Sequence, residues 1–221
     1  MFESRQQILC YNFKRNRRCD LSNPFTLSGA NIVILARNYN PSIVSKEWLY
    51  EKSIVRETVT NFIHTPPFSV VETGQISFVL DENRLQISLK SITTENIEGL
   101  PKIAAGFVSS LPETPFVAVG FNYSYNIPKE NSRLETLFAL DDTKLRELFS
   151  ENCEVGLIVS FPFKAFIVRM TAPPIRGKIT RITMDFNFHS DSRGAVEVKK
   201  RLKLHPETIE KTEEILRGLS E

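Results

Sequence analysis

The sequence predicts an α+β fold built on one broad, curved antiparallel sheet with its helices on a single face. Three observations carry that expectation. Runs rich in β-branched and aromatic residues outnumber helical patterns. Several of those runs alternate apolar with polar residues, as a sheet covered on one side requires. The order of strands and helices also repeats at about half the chain length.

Taken in order, strands are expected over 31–39 (NIVILARNY), 68–72, 75–80, 84–90, 115–127, 154–161, 165–171 and 178–189. Asp81, Glu82 and Asn83 form a short polar link between two of these runs and predict a hairpin over 75–90. Pro162 points to another tight connection. In 84–90, Leu85, Ile87 and Leu89 alternate with Gln86, Ser88 and Lys90, so one face of that strand is wet.

Helix signals are fewer. Ser45 can cap a short helix that seats Trp48 and Leu49 on the sheet. Pro101 suits a first helical position, with Ile103, Phe107, Val108 and Leu111 following on one stripe. Ser132 and Glu135 have capping-box spacing, and Asp141 or Asp142 can start a further turn carrying Leu145, Leu148 and Phe149. The last helix opens at Pro206, carries the four-apart pairs Glu207 with Lys211 and Glu213 with Arg217, buries Ile209, Ile215 and Leu216, and stops at Gly218.

These elements spell the same phrase twice: a strand with Asn-Tyr (Asn38, Tyr39; then Asn122, Tyr123), a helix, roughly three strands and a helix. The expectation is therefore a duplicated unit, with halves 1–112 and 113–221 joined in one continuous structural domain. Two such half-sheets meeting about a pseudo-two-fold resemble the saddle of the TATA-binding-protein-like fold. The resemblance is one of fold and carries no function.

Composition narrows the classes. A chain of 221 residues, 41% of them hydrophobic, can bury a sizeable core without staples. Cys10, Cys19 and Cys153 are an odd number with no Cys-x-x-Cys spacing, which predicts reduced thiols and a cytoplasmic setting. No apolar run reaches the about 18 residues of a spanning helix, so no membrane association is expected. Lys plus Arg number 28 against 26 for Asp plus Glu, too even a balance to advertise a polyanion partner. The local basic cluster Lys14, Arg15, Arg17 and Arg18, with Arg176 and Lys178 in the loop TAPPIRGK, is the only feature that would serve nucleic acid. Phosphate-cradling glycine loops, nucleophile elbows and His-Glu-x-x-His pairs are absent, and no cofactor or metal is expected.

One stretch, TMDFNFHSD, raises a sharper question. As a strand it points Met184, Phe186 and Phe188 one way and Asp185, Asn187 and His189 the other. GFNYSYN repeats the pattern, with Asn122, Ser124 and Asn126 opposed to Phe121, Tyr123 and Tyr125. Two small-polar stripes fit the wet face of a sheet. A metal or acid/base site would need converging ligands, and His64 and His205 sit in turn-like contexts beside prolines. Tyr123 and Tyr125 would become stacking platforms only if the face assignment were inverted. The functional expectation is a non-enzymatic binding or assembly module that engages a protein partner or a second copy of itself. A nucleic-acid-binding accessory protein and a hydrolase using Asp185 and His189 are the alternatives.

Overall fold

The computed structural model describes residues 24–128, 142–149, 155–174 and 180–220. Nine strands form one open sheet: β1 (Thr26–Ala36), β2 (Asn61–Thr65), β3 (Phe68–Glu72), β4 (Ile76–Asp81), β5 (Arg84–Leu89), β6 (Phe116–Pro128), β7 (Leu157–Phe163), β8 (Phe166–Ala172) and β9 (Arg181–Asp191). Their order is β2-β3-β4-β5-β1-β6-β9-β8-β7, and every pairing is antiparallel. Among the described residues five α-helices accompany the sheet: α1 (Lys46–Glu51), α2 (Thr94–Ser110), α3 (Asp142–Phe149), α4 (Gly194–Leu202) and α5 (His205–Ser220). No helix among the described residues is long and apolar enough to cross a membrane.

The register aligns apolar residues into a continuous line. Phe62, Val71, Phe78, Ile87, Ile32, Phe121, Phe188, Val168 and Phe161 lie side by side, one from each strand. From Val71 to Val168 every member is at most 1% exposed. Helices cover this line through aromatic contacts. Phe107 of α2 meets Phe78 edge-on at 5.4 Å, together with Tyr39 at 6.1 Å and Trp48 of α1 at 5.9 Å. His205 at the start of α5 lies edge-on against Phe121 at 5.2 Å and Tyr123 at 5.7 Å. The Tyr123 hydroxyl shares a hydrogen bond of 2.7 Å with Thr208 one turn further along. Burial of His205 holds its imidazole far below the usual range, at about 4.

Local chemistry sets the helix starts. The Ser45 hydroxyl accepts from the Trp48 N–H at 3.1 Å, the cap expected for α1. In α2 the start differs from the expected Pro101. The helix begins after Thr93, whose hydroxyl accepts from the Asn96 N–H at 3.2 Å, and Pro101 lies in its interior. Burial of Ile97, Leu100, Ala104, Phe107 and Val108 offsets the backbone hydrogen bond that the proline removes.

Other local differences have equally plain causes. Pro162 lies within β7, opposite Ile167, and the tight turn falls at Lys164 with a φ of 52°. An outermost strand tolerates proline because its open side needs no donor. Four strands, not three, follow α1, because the five residues Asn61–Thr65 add β2. His64 therefore sits in a strand, where Nδ1 and the Ser69 hydroxyl are 2.8 Å apart, and His205 opens a helix as a buried residue. Gly218 is inside α5, which runs on to Ser220. Arg217 pairs with Glu213 as expected, whereas Lys211 pairs with Glu214 and Glu207 with Lys164. Asn38 and Tyr39 lie in the turn after β1, while Asn122 and Tyr123 occupy the middle of β6, so the two Asn-Tyr pairs do not mark matching positions. The expected capping box at Ser132 and Glu135 and all three cysteines lie outside the described residues.

Candidate functional site

The sheet's outer face carries a second line, and this one is polar. Asn61, Glu72, Ser77, Ser88, Asn31, Asn122, Asn187, Arg169 and Ser160 stand side by side, again one from each strand. Period-two alternation explains why the line exists: each member is one residue away from a member of the buried apolar line. At its centre the amides chain together. Asn187 Nδ2 donates to Asn122 Oδ1 at 2.6 Å, and Asn122 Nδ2 donates to Asn31 Oδ1 at 2.7 Å.

The stretch that opened the question falls on this face. Asp185, Asn187 and His189 are exposed, while Met184, Phe186 and Phe188 are buried beneath the helices. The Ser124 hydroxyl donates to Asp185 Oδ1 at 2.5 Å, the Thr183 hydroxyl donates to Asn126 Oδ1 at 3.0 Å, and His189 Nε2 lies 3.3 Å from Asp191 Oδ1. Asn122, Ser124, Arg169, Thr171, Asp185 and Asn187 line a shallow depression of about 230 Å³. A second, wider one of about 460 Å³ opens beside it between Ile158, Thr171, Pro173 and Asp185.

These groups do not converge as a catalytic or metal site would. Asp185 and His189 are four residues apart on one extended strand, a separation of about 13 Å. Ser124 stands opposite Asp185, whereas His189 stands opposite Gly120, so hydroxyl and imidazole belong to different cross-strand pairs. Among the described residues no group of three or more His, Cys, Asp or Glu could hold a metal ion. Gly120 has a packing reason: a Cβ there would come within 3.2 Å of the Phe188 carbonyl of β9.

Beside the polar line runs a mostly apolar one: Ile63, Val70, Val79, Gln86, Val33, Gly120, His189, Ile167 and Pro162. Its ends are open to solvent, Ile63 at 45% and Ile167 at 60%, with Phe68 exposed near Ile63 and Ile158 exposed on the far side of the polar line. Of the charges described on this face, Arg84 pairs with Asp81 and Lys90 with Glu72, each at 3.6 Å, and Arg169 and Arg181 share it with Asp185 and Asp191. The surface is thus striped, polar beside apolar, with little net charge.

Tyr123 and Tyr125 are each 1% exposed under the helices and offer no stacking surface. Lys14, Arg15, Arg17, Arg18, Arg176 and Lys178 lie outside the described residues. Asn31, Ser160 and Arg169 escaped the sequence reading, because membership of the line depends on register across strands far apart in the chain. No protein-family model matches the chain, and no curated protein matches it.

Proposed function

We propose that the chain is a non-enzymatic binding or assembly module whose open sheet, by its outer face or its edges, engages a protein partner or a second copy of itself. The observation that carries this reading is the striped outer face, where exposed Ile63, Phe68, Ile158 and Ile167 border a line made mostly of amides and hydroxyls. Apolar groups left in water beside hydrogen-bonding groups are what a protein partner can cover with gain on both counts. A phosphate backbone, by contrast, is held by an excess of cations, and on the described part of this face Arg84, Lys90, Arg169 and Arg181 are matched in number by Asp81, Glu72, Asp185 and Asp191.

We also infer that the two halves, 1–112 and 113–221, are copies of one unit in a saddle-like arrangement. In support, β1 lies beside β5, the last strand of its half, as β6 lies beside β9. Gly29-Ala30-Asn31 and Gly120-Phe121-Asn122 also place a glycine two residues before each of the two central asparagines.

The experiment is complex formation by the full chain at low and high salt, with Asn187→Glu and Ile167→Lys as face variants. A protein interface survives the salt and is lost in the variants. Binding that instead collapses steeply with salt and is retained on DNA or RNA overturns the proposal in favour of a nucleic-acid accessory role.

A further inference from the structure

The two edges of the sheet are built differently. At one end β7 contains Pro162, which has no N–H to offer a new neighbour. At the other end β2 reads Asn-Phe-Ile-His-Thr, with no proline, no glycine and no charged residue. Natural edge strands carry such devices to prevent pairing, and β2 has none of them within its length. Among the described residues its backbone is paired on one side only, to β3 from Asn61 opposite Glu72 through Thr65 opposite Phe68. Apolar side chains flank that open edge, with Ile63 45% and Phe68 38% exposed on the outer face. On the helix side Phe62 and His64 stack with centroids 6.0 Å apart, and Lys46 sits over the Phe62 ring at 5.3 Å.

We infer that a second copy of this chain docks on the β2 edge, antiparallel about Ile63, so that two nine-stranded sheets join into one. This rests on the reading of the chain as an assembly module and names the partner and the surface. The sequence of β2 is complementary to itself in that register. Ile63 meets Ile63, Phe62 meets His64, and Asn61 meets Thr65, so no like charges oppose and each side chain finds one of its own kind. A shift by one residue would set Ile63 opposite His64 of the second copy and join the outer face of one sheet to the helix side of the other. Pro66 and Pro67, which directly follow β2, end the strand and limit the ladder to these five positions. Pairing of like edges closes at two copies, whereas β2 against β7 would propagate as a filament, which Pro162 opposes.

The test is the mass of the full-length chain in solution, by light scattering or sedimentation, over a wide concentration range. The expected result is a dimer that Ile63→Lys converts wholly to monomer, because two ammonium groups would then face each other across the two-fold. Ile158→Lys, at the other end of the sheet, leaves the dimer intact. Circular dichroism checks that each variant is folded, and slowed amide exchange of β2 on dimerisation reads the pairing without any substitution. A monomer at every concentration overturns the inference while leaving partner binding by the outer face untouched. Open-ended assembly that Ile158→Lys stops, or a dimer that survives Ile63→Lys in folded protein, overturns it equally.

Discussion

Asn122 donates its side-chain amide to Asn31 at 2.7 Å across the two central strands of the sheet, β6 and β1. The same Asn122 accepts from Asn187 of β9 at 2.6 Å, so one side chain ties three strands together on the outer face. Both contacts are lost in Asn122→Ala, and a half-buried pair of hydrogen bonds is worth about 1 to 2 kcal/mol. Asn187→Ala removes one contact from a more exposed position and should cost less. Urea unfolding of the two variants decides this. Midpoints equal to that of the unsubstituted protein would show that the amide chain contributes nothing measurable.

Acid should loosen the fold through His205. Its folded value is depressed to about 4 by burial, against 6.5 for a free imidazole, and its Nε2 has no hydrogen-bond partner among the described residues. The neutral form is the one the core accepts. The stability it contributes is therefore fully present above pH 6.5 and is lost as the pH falls toward 4, by about 3 kcal/mol in all. His205→Phe keeps an aromatic ring against Phe121 and Tyr123 but cannot take a proton. Denaturation midpoints of that variant should lose the part of the pH dependence that His205 supplies in this window. An identical acid response in both proteins would remove His205 from the account.

Core and surface aromatics should part sharply. Phe107 is fully buried and touches Phe78, Tyr39 and Trp48 edge-on, so Phe107→Ala should cost about 3 to 5 kcal/mol. Phe149 of α3 is 65% exposed, and Phe149→Ala should stay within about 0.5 kcal/mol. Thermal melts of the two variants supply the comparison, and a large loss at Phe149 would mean that the side chain is covered in solution.

His189→Ala should likewise change stability by roughly 0.5 kcal/mol or less, since its contact with Asp191 at 3.3 Å is exposed on both sides. Calorimetry should show no micromolar zinc binding that depends on His189. Such binding would make Asp185 and His189 the first place to look for chemistry.

Much of the sheet was legible in the residues themselves. Alternation such as Met184-Asp185-Phe186-Asn187-Phe188 assigns both the strand and its two faces, because a buried face leaves no freedom in a period of two. Local signals that compete were harder. Pro101 reads as a helix start, yet Thr93 with Asn96 three residues on was the true cap, and a buried stripe carried the helix through the proline. The short α4 hid behind its run of Lys199, Lys200 and Arg201, although Val198 and Leu202, four apart and buried, were the available sign. The polar line was legible only in part, at Ser88, Asn122 and Asn187. Its other members come from strands whose neighbours are set by tertiary pairing, and nothing in Asn31 or Arg169 taken singly announces that partnership.

The placement of β1 between β5 and β6 also governs how the chain can reach this structure. Asn31 and Asn122 are 91 residues apart, so the central strand waits for half the protein before its second neighbour exists. Any sheet made from the first five strands alone would have a bare flank at β1, where β6 lies in the finished fold. Closing that span costs chain entropy before any of the apolar line is completed, which places folding on the slow side, in about milliseconds to seconds. Refolding followed through Trp48, the only tryptophan, should show it, and completion within microseconds would contradict it. Until β6 arrives, the strand at the centre of the finished sheet is an edge, and its assembly depends on what reaches it first.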